Sequence, residues 1–217
     1  MLTRAEEDHL KAVHRLLEDG IASTNAIAER LSTKASSVTV MLQKLTEKGL
    51  LNYQPYKGVT LTRKGREQAV ALVRKHRLWE TFLVEQLGFG WDEVHEVAEQ
   101  LEHIQSPKLV DKLDDFLGNP AFDPHGDPIP GKDGKVRLRQ TKRLEMCGPG
   151  ESVRIAAVSE TTDGLLRLLD SRGLRIGSYL HVQDVHVFDG SMDVKPKTGA
   201  PFNLSKTVIH HLQVEPA

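Results

Sequence analysis

Apolar positions recur at helical spacing from the start of the chain. In residues 3 to 19, Leu10, Val13, Leu16 and Leu17 form one stripe, Thr3 is placed to cap it and Gly20 to end it. A shorter helix follows, with Ser23 or Thr24 as cap and Ile27, Ala28 and Leu31 on its buried side. After the polar turn Ser32-Thr33-Lys34, the positions Val38, Met41, Leu42 and Leu45 mark a third helix from about Ala35 to Lys48. Two short helices joined by such a turn make a helix-turn-helix pattern. Beyond Gly49 the period shortens: LLNYQ, a Pro-x-x-Gly turn and VTLT predict a small hairpin. Residues 1–66 therefore predict a winged helix.

The helical period then returns. Thr62 caps a long helix ending at Gly88, residues 91 to 104 form the next, and Ser106-Pro107 opens another that stops at Gly118-Asn119-Pro120. Leu72, Val73, Leu78, Trp79, Phe82, Leu83, Val97, Leu101 and Ile104 give residues 67–120 enough apolar surface for a core and a dimer interface. The Pro-, Gly- and Asp-rich stretch NPAFDPHGDPIPGKDG fits no regular element, so residues 121–143 are expected to be a linker. From Leu144 onward, SVRIAAVS, a short helical LLRLLDSRG, GSYLHVQDVHVF and LSKTVIHHLQV alternate with Gly-centred turns. Residues 144–217 predict a small SH3-like β-barrel of about five strands, within a mainly α chain.

Net charge is −1, which does not announce a nucleic-acid binder, but the charge is divided. Ser32 to Arg66 holds seven Lys and Arg against one Glu, whereas Glu67 to Leu117 holds five against eleven acids. A cationic block beside an anionic one suits a DNA surface next to a cation site. On the third helix, Ser36, Ser37, Thr39, Gln43 and Lys44 fall on the outward side, with Lys34 at its start and Lys57 in the wing. These are residue types that contact base edges and phosphates. The single cysteine, Cys147, excludes a disulfide framework and a multi-cysteine zinc site. With no run of about 20 apolar residues and no signal-peptide core, the expectation is a cytoplasmic protein without membrane attachment.

The chemistry concentrates in HEVAEQLEH. His95, Glu99, Glu102 and His103 lie at offsets of four, seven and eight, within an arc of about 100° on a helix. His76 and Glu80 repeat an i,i+4 pair one helix earlier, and Asp8 and His9 on the first helix are outside donors. Oxygen and imidazole donors without thiolate suit Mn²⁺ or Fe²⁺, although Zn²⁺, Co²⁺ or Ni²⁺ can bind such sites in vitro. Two alternatives use the same residues. One is a binuclear hydrolase, which needs an open metal position and a general base; no HExxH is present. The other is an organic-ligand sensor with a merely solvated His/Glu face.

The stretches SSVTVMLQKLTEKGLL, YKGVTLTRKG, RKHRLWETFL, VHEVAEQLEH and GDPIPG together resemble the diphtheria-toxin-repressor family of metal-dependent transcriptional regulators, over nearly the whole chain. The resemblance implies a primary site of Asp8, Glu99, Glu102 and His103 and an ancillary site of His76, Glu80 and His95. It also implies lesser roles for Asp123 and His125 in the loop and for Glu160 or Asp163 in the barrel. Asp8 and Glu99 stand where iron-sensing members carry Met and Cys, which points to Mn²⁺. Lys11 departs from a short manganese branch that has Glu there. The expected protein is a homodimer that binds double-stranded operator DNA in response to metal, most simply as a repressor of metal-homeostasis genes, with no catalytic residues.

Overall fold

The computed structural model describes every residue except 1, 19, 21, 55–57 and 160. Lys57 and Glu160 thus lie outside the described residues. Helix α1 (Arg4–Glu18) opens with a reciprocal cap. The Glu6 N–H donates to Thr3 Oγ1 at 3.4 Å, and the Thr3 N–H donates to Glu6 Oε2 at 2.9 Å. Ser23 caps α2 (Thr24–Arg30), and the turn through Ser32 leads into α3 (Ala35–Glu47). Strands β1 (Leu51–Gln54) and β2 (Gly58–Leu61) pair antiparallel to form the wing. Leu10, Val13, Ile27, Val38, Leu42 and Leu45 close the core of this reading head.

Helix α4 (Arg63–Leu87) begins at the Thr62 cap and ends at Gly88, whose φ of 73° is the left-handed stop the sequence predicts. Its first turn packs tightly against the wing: a Cβ added at Gly65 would stand 2.0 Å from the Leu50 carbonyl oxygen. Only glycine permits that approach. Helix α5 (Val94–Leu101) is shorter than the predicted 91 to 104; Glu102 is its C-cap and His103 lies in the turn beyond. Helix α6 (Pro107–Phe116) starts at the Ser106 cap. These helices enclose a second core of Leu78, Trp79, Leu83, Val94, Ala98 and Leu113, and form the hub of the molecule. No described helix is long and apolar enough to cross a membrane.

Residues 121–143 carry little regular structure but are anchored to the hub. Arg77 donates to the Pro128 carbonyl (2.6 Å) and Asp127 (2.9 Å), and Arg74 to the Pro130 carbonyl (2.7 Å) and Asp114 (2.6 Å). The C-terminal unit is a six-stranded antiparallel sheet in the order β3-β8-β4-β5-β6-β7. The strands are β3 (Lys142–Arg143), β4 (Ser152–Val158), β5 (Tyr179–Val185), β6 (Met192–Pro196), β7 (Phe202–Leu204) and β8 (Leu212–Pro216), with α7 (Asp163–Ser171) and α8 (Lys206–His211) between them. The small β unit is as expected, but it has six strands rather than five, and β3 and β7 are open edges instead of a closed barrel. The stretch LSKTVIHHLQV is not one strand. Ser205 accepts the Val208 N–H and caps a helical turn before β8 begins. The core of this unit, Leu144, Ile155, Leu166, Leu180 and Val194 among others, also takes in Trp91 from the hub.

Candidate functional site

Three consecutive acids on α1 divide between two neighbours, because a helix turns about 100° per residue. Glu6 is fully buried and turns toward α3: Lys48 Nζ lies 2.6 Å and Lys44 Nζ 2.9 Å from its Oε1. The Lys48 hydrogen bond is the main reason its pKa falls from 4.5 to about 2. Glu7 and Asp8 turn toward the hub. Glu7 Oε2 is 2.6 Å from His103 Nδ1, Glu7 Oε1 accepts from Gln105 at 2.6 Å, and Asp8 Oδ1 is 3.1 Å from His103 Nε2.

Asp8, Glu102 and His103 thus converge, each offering one ligand atom within 4.8 Å of the others. With Nδ1–H given to Glu7, a neutral His103 ring leaves Nε2 bare. That atom is buried and has no hydrogen-bond partner among the described residues. It faces Asp8 and, at 3.9 Å, Glu102 Oε1. A buried lone pair aimed at two carboxylates fits a divalent cation. Burial pushes the Asp8 pKa up, with the Glu102 charge adding to it. Glu99 does not join this grouping. Its Oε1 lies 3.4 Å from His95 Nε2 and 3.7 Å from Lys11 Nζ. Lys11 grips both Glu102 oxygens, at 2.7 and 2.8 Å.

A second set of donors joins buried His76 and Glu80 to exposed His95. His76 Nε2 is 3.0 Å from Glu80 Oε1, and His95 Nδ1 is 3.1 Å from the same oxygen. Burial opposes ionisation of Glu80, but the facing imidazoles outweigh it and hold the pKa down. Glu80 and Glu99 in turn raise that of His95 to about 9. Glu80 also belongs to a third grouping with Asp123 and His125, all three buried. Here the tautomer is fixed: His125 Nε2 donates to the Trp91 carbonyl at 2.7 Å, so the neutral ring turns a bare Nδ1 toward Glu80 Oε2, 4.0 Å away. Burial, then the Glu80 charge, pushes the Asp123 pKa well up. Two carboxylates and an imidazole lone pair facing one another again fit a cation. Asp163 stands apart, largely exposed and 3.7 Å from Arg167.

On the reading head, Lys34 at the start of α3 and Ser36, Ser37 and Gln43 on it are exposed. The Thr39 hydroxyl donates to the Ala35 carbonyl at 3.0 Å, within the helix. Lys44 is turned to Glu6 rather than left free. Glu7 and Val40 escaped the sequence reading. Val40 is 66% exposed on the same helix. Glu7 is next to Asp8, and spacing alone does not say that both adjacent carboxylates meet His103.

A winged head whose first helix meets the candidate cation groupings of a helical hub has the make-up of a metal-dependent DNA-binding regulator. Residues 1–59 match the N-terminal DNA binding domain of the iron dependent repressors, residues 62–131 their metal binding and dimerisation domain, and residues 142–216 the FeoA domain. The iron-dependent repressor IdeR of Mycobacterium leprae is 38% identical over 131 residues, 60% of this chain and 57% of that relative. The diphtheria toxin repressor of Corynebacterium efficiens is 30% identical over 193 residues, 83% of this chain and 84% of the relative. A manganese-dependent transcriptional repressor solved in complex with manganese superposes with a TM-score of 0.85 at 37% identity, covering 98% of this chain and all of that one. The chain belongs to the diphtheria toxin repressor family of metal-dependent transcriptional repressors. Its members are repressors and not enzymes, which removes the hydrolase alternative.

Proposed function

We propose that this protein is a cytoplasmic, homodimeric repressor that binds operator DNA when loaded with Mn²⁺ and so controls metal-homeostasis genes. One observation carries the reading: α1 holds the recognition helix through Glu6 and reaches His103 through Glu7 and Asp8. Asp8, Glu102 and His103 hold the primary cation, with Glu99 beside them. His76, Glu80 and His95, with Asp123 and His125, hold a second. Bound at the primary site, the cation neutralises the carboxylates and joins the head to the hub. Without that neutralisation the clustered charges of Asp8 and Glu102 oppose each other across the seam, and the head's orientation is less restricted.

On this reading residues 1–66 form the reading unit, 67–120 the hub, 121–143 the connection and 144–217 the β unit. Exposed Lys34, Ser36, Ser37 and Gln43 meet DNA. The hub residues Leu87, Ile104, Leu109 and Phe116, left exposed in the single chain, support a dimer face. Mn²⁺ is favoured by a donor set of carboxylates and imidazoles without sulfur, and by the likeness to the manganese-bound repressor. The iron-dependent relatives support Fe²⁺ as the second reading.

A metal-by-metal operator titration at fixed ionic strength tests the proposal. Mn²⁺ should raise affinity most, and affinity should fall with salt through counterion release. Equal operator affinity in chelator and in excess Mn²⁺ would remove the regulatory reading. Metal-free purified protein with full DNA response would favour an organic ligand instead.

A further inference from the structure

Glu7 and Asp8 face opposite edges of one imidazole. Glu7 Oε2 lies 2.6 Å from His103 Nδ1, and Asp8 Oδ1 lies 3.1 Å from Nε2. A neutral imidazole carries one proton, and the bonds made at its two nitrogens decide which of them holds it. The two carboxylates therefore compete. A proton on Nδ1 leaves the Nε2 lone pair open to a cation shared with Asp8 and Glu102. A proton on Nε2 donates to Asp8 and closes that lone pair. The shorter contact favours Nδ1, and Glu7 is held so as to keep it. Its side chain is 8% exposed, its Oε1 accepts from Gln105 Nε2 at 2.6 Å, and its main-chain N–H donates to the Thr3 carbonyl at 3.0 Å. Both Glu7 oxygens are thus engaged by hub donors, on the edge of the ring away from Nε2, and Glu7 stands outside the grouping of Asp8, Glu102 and His103.

We propose that Glu7, held in place by Gln105, is a positioning residue that keeps the His103 proton on Nδ1 and so sets the affinity of the primary cation site without being a ligand. This role rests on the reading of Asp8, Glu102 and His103 as cation ligands. Glu7 rides on α1 with Asp8. The reading head therefore acts on the cation twice, once by supplying a ligand and once by orienting a ligand of the hub.

The test uses the full chain. In the metal-free protein, ring nitrogen NMR of neutral His103, assigned by its loss in His103→Asn, reads the proton's position. Wild type and Glu7→Gln, whose amide oxygen still accepts, should show Nδ1–H, and Glu7→Ala should show Nε2–H. Competition with a fluorescent chelator reads the number and affinity of bound Mn²⁺. Glu7→Ala should weaken one Mn²⁺ equivalent by about 10–100-fold without abolishing it, Glu7→Gln by less and Gln105→Ala by a few-fold, with the other equivalent unchanged. An Nε2–H ring in the wild type, Nδ1–H retained in Glu7→Ala, or unchanged Mn²⁺ affinities in Glu7→Ala reduces Glu7 to a packing contact and overturns the proposal. Loss of the equivalent from Glu7→Gln as complete as from Glu102→Ala makes Glu7 a ligand and overturns it as well. Uptake of no Mn²⁺ by the wild-type chain overturns the metal reading itself and this role with it, which separates the two failures.

Discussion

The two candidate cation regions use the same kinds of donor but are built into the molecule differently. Asp8, Glu102 and His103 draw on α1 and on the turn after α5, and the Asp8 side chain is 35% exposed. Glu80, Asp123 and His125 are 3, 7 and 3% exposed and sit among packed elements. A site at a seam can report on the relative position of two units. A site inside a joint can only hold that joint together. The chemistry of the donors therefore does not assign their roles, whereas the elements that carry them do.

Glu102→Ala attacks the seam directly and should have the largest effect. The Mn²⁺-induced gain in operator affinity, expected at roughly 5–150-fold, should vanish in fluorescence anisotropy with and without chelator, while the circular dichroism spectrum stays that of the wild type. Asp123→Asn attacks the joint. It should weaken one Mn²⁺ equivalent by at least about tenfold in calorimetric titration and leave most of the DNA response. A DNA response as damaged as that of Glu102→Ala would erase the distinction between the regions.

Glu6→Gln probes the connection from seam to recognition helix, and a drop of a few-fold in the Mn²⁺-induced affinity gain is expected in the same anisotropy assay. It also carries a pH signature. The Glu6 pKa is depressed from 4.5 to about 2, so its stabilisation is complete above pH 4.5 and disappears as pH falls through about 2. The melting temperatures of wild type and Glu6→Gln should differ by a constant amount at neutral pH and converge at the acid end. The smallest effect is expected from Lys11→Met. Its ammonium occupies both oxygens of the buried Glu102. Removing it should tighten Mn²⁺ binding at the seam by a few-fold in chelator competition; weaker binding would make Lys11 a support of that site instead of a competitor.

Much of this was legible in the chain because it is local. The Thr62 and Ser106 caps, the Gly88 stop and the Thr3 cap are set by neighbours a few residues away. The His and Glu spacings of α4 and α5 likewise place donors on one side of a helix. What escaped depends on contacts between distant residues. Glu99 fits the helical arc, yet its carboxylate goes to His95 one turn away and to Lys11 on α1. Lys44 looked free for DNA because its partner Glu6 is 38 positions earlier in the chain. The TVI run after Ser205 has strand composition, and only the Ser205 cap and the packing of Val208 and Ile209 make it helical. Closure of a sheet is decided by pairing at its far edges, which no strand's own sequence states.

The order Glu6, Glu7, Asp8 has a bearing on how this chain can vary. Exchanging Glu6 leaves the contacts of Glu7 and Asp8 with His103 in place, and exchanging either of those leaves the Glu6 contact with Lys44 and Lys48 in place. Inserting a single residue between Asp8 and Leu10 would swing all three carboxylates by about 100° against the apolar stripe, so that each would face the wrong neighbour at once. The opening helix is thus far more tolerant of altered chemistry than of altered length.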